Sequence, residues 1–73
     1  MNRHTQQQRI LSALQDNRGG MTGMDFIHSL GIIDYRKRIS ELRRQGYNIP
    51  DEYEKSATGA RYKRYYYRED EEE

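Results

Sequence analysis

At 73 residues, with 33% apolar residues, no cysteine and no apolar run near the roughly 20 residues that span a bilayer, the chain has room for one small core. Nothing is present to reinforce it, neither a disulfide framework nor a thiolate zinc site, so packing alone must hold the fold. The formal net charge of +1 averages two opposed regions, because Glu69 to Glu73 are all acidic and residues 1–68 carry 13 cations against 7 acids.

The N-terminal MNRHTQQQR lacks the apolar stretch of a signal peptide, and a cytoplasmic protein without membrane contact is expected. The first helix is expected from about Thr5 to Asp16. Thr5 and Gln8 have the spacing of a capping box, and Ile10, Leu11 and Leu14 recur on one helical face. NRGG, residues 17–20, ends it, and a short extended piece is expected near Met21.

Thr22 reads as the N-cap of a second helix, with Asp25 placed to return a hydrogen bond and to complement the helix dipole. Phe26, Ile27 and Leu30 form its buried stripe, Met24 lines the edge, and Gly31 closes it. Ile32 or Ile33 then plugs the turn into the core. Asp34 is the expected cap of a third helix that reaches about Gln45 and stops at Gly46.

This third helix carries Arg36, Lys37, Arg38, Arg43 and Arg44. At about 100° per residue, with the line between Ile39 and Leu42 taken as inward, Tyr35 also points in. Lys37 and Arg44 point out with Ser40 and Glu41 beside them, Arg36 and Arg43 lie on one flank, and Arg38 lies on the other. Two short helices meeting across a glycine, the second rigidly cationic, read as a helix-turn-helix that presents charge to nucleic acid.

After Gly46 the pattern changes to period 2. Tyr47–Ile49 and Arg61–Tyr67 read as two strands of a hairpin, joined by a long polar and flexible connection with Ser56–Ala60 at its tip. Pro50 suits only an edge or the end of a strand. Tyr65 and Tyr67 are expected to face the core, leaving Arg61 and Lys63 to flank bound nucleic acid. Residues 1–67 are thus expected to form one domain and residues 68–73 an acidic disordered tail. A sharper expectation for the tail is that it folds back on Arg61, Lys63 or the third helix and competes with phosphate.

Catalysis and metal binding find no support. His4 and His28 stand apart from any carboxylate or cysteine at ligand spacing, and neither NRGG nor GMTG follows a strand and carries the lysine of a phosphate loop. No catalytic residue, metal ligand or cofactor is assigned.

The order of helix, helix, basic helix and tyrosine-rich hairpin carries a resemblance from about Thr5 to Tyr67. With SLGI at the turn, RISELRRQGYNI leading to the first strand, and Arg64, Tyr65 and Tyr67 closing the pattern, it resembles the small winged helix-turn-helix proteins of bacteriophages and prophages. The resemblance implies an α+β fold of three helices and a two-stranded β-hairpin wing, with a short third strand open near Met21. It also implies a third helix that reads double-stranded DNA, and a role in phage transcription regulation or recombination in a bacterial host cell. On it Arg36, Lys37, Ser40 and Arg44 carry the recognition role and Arg61 and Lys63 the wing role, while Thr22 and Arg43 complete the candidate DNA contacts. A module this small is expected to act as a homodimer or tandem array on DNA. Two other functions stay open: an architectural, excisionase-like recombination factor, and a phage-encoded interaction module that inhibits a host protein; the protein partner on these readings is a host or a phage protein.

Overall fold

The computed structural model describes residues 2–69. Six elements follow in chain order: α1 (Arg3–Asp16), β1 (Met21–Thr22), α2 (Gly23–Leu30), α3 (Tyr35–Arg44), β2 (Asp51–Lys55) and β3 (Arg61–Tyr65). The three strands form one antiparallel sheet in the order β1-β3-β2, so the short strand expected near Met21 joins the hairpin from the other side. The fold is α+β, three helices with a winged sheet.

α1 starts earlier than the Thr5 cap predicts. Asn2 is the N-cap, its side-chain oxygen accepting from the Thr5 backbone N–H at 2.8 Å. Asparagine is the stronger capping residue, and the earlier start places Arg3 3.7 Å from Glu41 of α3. Ile10, Leu11 and Leu14 are buried as expected, with Gln7 beside them.

α2 has the full reciprocal capping box of Thr22 and Asp25 and ends on Gly31 in the left-handed region, φ 70°. That conformation points the Gly31 N–H back to the Ile27 carbonyl and turns Ile32, fully buried, into the core. Ile33 stays out, and Met24 is more exposed than an edge position suggests. Asp34 occupies the N-cap position of α3 without a side-chain cap bond. Its ψ of 37° lies outside the extended region from which a capping carboxylate reaches the next amides, and its carbonyl alone serves Lys37 and Arg38.

The wing departs most from expectation. Tyr47–Ile49 is not a strand, and the strand lies in Asp51–Lys55, within the stretch expected to be a flexible loop. The turn at 56–60 is short: the Ser56 N–H donates to the Ala60 carbonyl at 2.8 Å and Gly59 takes φ 90°. DEYEK has little β propensity, and antiparallel pairing with RYKRY imposes the strand. The pairing runs on past the strand ends, with Tyr66 N–H donating to Pro50 and Arg68 N–H to Asn48.

Phe26, Ile10, Leu14, Ile32, Ile39 and Leu42 form the fully buried centre, joined by Tyr65. Tyr67 packs against this core, as the alternation of β3 predicts. Glu69, the first residue of the acidic run, approaches Arg18 at 3.7 Å, and the rest of the expected tail, residues 70–73, lies outside the described residues. No helix among the described residues is long and apolar enough to cross a membrane.

Candidate nucleic-acid interface

α3 has three differently occupied sides. Its inner side, Ile39 and Leu42 with Tyr35 half-buried, belongs to the core. A second side packs on α1 through a polar cluster. Gln7 donates through Nε2 to Glu41 Oε1 at 2.7 Å, Gln45 donates to Gln7 Oε1 at 3.0 Å, and Arg38 Nε lies 3.4 Å from the same Glu41 oxygen. Two sequence expectations fall here. Arg38, expected on an exposed flank, is buried, and Glu41, expected beside the outward residues, faces α1. The apolar pair Ile39 and Leu42 marks a narrower arc of α3 than α1 covers.

The third side is open. Arg36, Lys37, Ser40 and Arg44 are exposed there, and the Arg36 guanidinium lies 5.8 Å from the Tyr35 ring centroid. Arg43 is exposed too, but its Nε and Nη2 are in use. It donates to the Ile49 carbonyl through Nε at 2.9 Å and through Nη2, which also meets Asp51 Oδ2 at 2.9 Å, bracing the end of α3 against the start of β2. Thr22 sits at the rim, its hydroxyl accepting from Asp25 N–H at 3.3 Å while Asp25 accepts from Thr22 N–H at 2.9 Å.

The strand register sorts the charges of the wing. Asp51 pairs with Tyr65, Tyr53 with Lys63 and Lys55 with Arg61, so these six side chains share the face that looks towards α3. Glu52, Glu54, Tyr62 and Arg64 fall on the other face. There Arg64 donates to Glu54 at 3.0 Å and to the Gly20 carbonyl at 3.3 Å. This hydrogen bond holds the Glu54 carboxyl below its usual range and raises the Arg64 guanidinium. Asp51 is neutralised by Arg43, and the other acids of β2 are turned away. Arg61 and Lys63 therefore face the cleft with no ion pair among the described residues.

A cleft of about 890 Å³ separates α3 from the wing, and Met24, Tyr35, Arg36, Tyr53, Arg61 and Lys63 are among the residues that line it. Its floor is aromatic. Phe26 stacks on Tyr35 with centroids 5.5 Å apart, and Tyr65 closes the group at 5.9 and 6.2 Å from the two rings; burial pushes the Tyr65 hydroxyl pKa up. Tyr35 reaches its place because Gly23 has no side chain: a Cβ there would stand 2.2 Å from the Tyr35 hydroxyl and 2.5 Å from Cζ. Gly23→Ala is accordingly expected to displace the ring and cost about 1–3 kcal/mol, read as a fall in thermal midpoint. Gly19→Ala, with nothing within 4 Å of the new methyl, is the control expected to leave the midpoint in place.

The structure thus brings Arg36, Lys37, Ser40 and Arg44 of α3 onto one open side and Arg61 and Lys63 onto the wing across the cleft. It places Thr22 and Arg43 at the margin with their polar groups engaged. Met24, expected at the edge of α2, lines the cleft, and so does Tyr53, which nothing in the sequence marks because a strand with charges on both faces has no apolar alternation. Among the described residues no three His, Cys, Asp or Glu side chains gather as a metal group.

The sequence matches the family described as winged helix-turn-helix domain over residues 5–69. No curated protein and no solved structure matches it. With that match across nearly the whole described chain, and with the three helices and winged sheet described above, the protein belongs to the winged helix-turn-helix domain family, a class of DNA-binding module.

Proposed function

We propose that the domain binds double-stranded DNA with α3 in the major groove and the wing along the neighbouring backbone, and that it acts as a transcriptional regulator. The observation that carries this reading is a set of cations, Arg36, Lys37 and Arg44 exposed on α3, with exposed Arg61 and half-buried Lys63 across the cleft, none in an ion pair among the described residues. Cations held on rigid elements without a carboxylate partner are the groups that displace counterions from phosphate. Ser40 stands among them as a donor and acceptor for base edges. Arg43 and Thr22 support the surface from its margin: Arg43 fixes the end of α3 and Thr22 the start of α2. A dimer or tandem array supplies the contact area that one module of this size lacks. The placement in phage or prophage gene control draws on the resemblance carried by SLGI and RISELRRQGYNI.

The test is binding of labelled duplexes across a salt series. Affinity is expected to fall by about 0.9 log unit per log unit of salt for each phosphate neutralised. Lys37→Ala and Arg44→Ala are each expected to weaken binding and, where the lost contact is to phosphate, to reduce that slope by about one. Absence of any retarded duplex at low salt, both for the full chain and after deletion of residues 69–73, overturns the reading.

A further inference from the structure

The chain has seven tyrosines. Six are buried or half-buried, whereas Tyr53 on β2 is 62% exposed. Most of this ring faces water, and its only close company on the wing among the described residues is charged.

Those neighbours point to a use for the ring. The Arg61 guanidinium lies 5.0 Å from the Tyr53 ring centroid and the Lys63 ammonium 5.3 Å, and neither cation has a carboxylate partner among the described residues. Two cations drawn to one ring repel each other, and an anion between them relieves that repulsion. The ring, both cations and Arg36 all line the cleft beside α3. Phosphate contacts alone would need the cations and leave the ring without a role. An exposed aromatic face flanked by unpaired cations has the composition of a platform on which a base stacks while its phosphates are neutralised. Bases inside a duplex already stack on each other and cannot use it.

From this geometry we infer that the wing holds an unstacked nucleotide, with its base on Tyr53 and its flanking phosphates on Arg61 and Lys63. The favoured ligand is then duplex DNA that carries a single-stranded extension beside the segment held by α3. The inference rests on the proposal that α3 binds the duplex, and goes beyond it by giving the wing a ligand of its own.

Fluorescence anisotropy on the full chain tests it with three forms of one labelled duplex. One is blunt, one carries an oligothymidine extension of about five nucleotides at either end of a strand, and one carries an abasic extension of the same length. The thymidine extension is expected to tighten binding on the order of tenfold in at least one polarity, and the abasic one to leave most of that gain unmade. Tyr53→Ala is expected to lose the gain while holding the blunt duplex as the wild type does, and Tyr53→Phe to keep it. The thermal midpoint of both variants checks that the wing is intact. Equal affinity for blunt and extended duplexes, or a gain that survives Tyr53→Ala or the abasic extension, overturns the inference and leaves duplex binding standing. Failure of the wild type to bind every duplex overturns both.

Discussion

Phe26→Ala is expected to leave the chain largely unfolded at room temperature, without a cooperative thermal transition. Phe26 is fully buried and its ring is the hub of the Tyr35 and Tyr65 contacts, so truncation opens a cavity where α2, α3 and β3 meet. Losses of about 3–5 kcal/mol accompany Phe→Ala in cores. A domain of this size holds a total of about the same order, with no disulfide in reserve. Circular dichroism during heating checks it, and a variant that melts cooperatively within a few degrees of the wild type would refute it. Phe26→Leu, which keeps most of the volume, is expected to fold with a lowered midpoint.

The second large effect lies in the polar cluster between α1 and α3. Among the described residues Glu41 is the one carboxylate in an ion pair with Arg38, and it also receives Gln7 and approaches Arg3. The Arg38 side chain is 8% exposed, and its buried Nε has no hydrogen-bond partner among the described residues; the nearby Glu41 charge, rather than bond geometry, offsets its desolvation. Glu41→Ala strands that cation and the Gln7 amide together and is expected to cost about 3 kcal/mol. Adding Arg38→Met to Glu41→Ala should recover most of the loss, because an apolar side chain of similar length needs no counter-charge. Arg38→Met alone should cost less than Glu41→Ala, because Glu41 keeps Gln7 and Arg3 as partners. Chemical denaturation of the four proteins measures both, and a Glu41→Ala variant as stable as the wild type would show that the cluster contributes nothing.

The same cluster shows why some of the interface was legible before the structure and some was not. Lys37, Ser40 and Arg44 fall opposite Ile39 and Leu42 at helical spacing, so their exposure follows from periodicity alone. Arg38 and Glu41 lie at the sides of that wheel, where the sequence carries no mark of how far α1 wraps around. Arg43 lies on the opposite flank, and nothing local indicates that Ile49 and Asp51 return to take up its donors.

By itself the sequence determined the helix pair, the capping box of Thr22 and Asp25, the left-handed stop at Gly31 and the inward tyrosines of β3, because each depends on residues within one or two helical turns or on simple alternation. It also determined that the cations lie in two clusters. Only the tertiary structure decided which cations remain free. The antiparallel register between Asp51–Lys55 and Arg61–Tyr65 turns Glu52 and Glu54 away from the cleft, and the packing of α1 on α3 withdraws Arg38 and Glu41 from the surface. Those partners are up to 38 residues apart along the chain, and local propensity does not encode a distance that chain folding alone brings within a hydrogen bond.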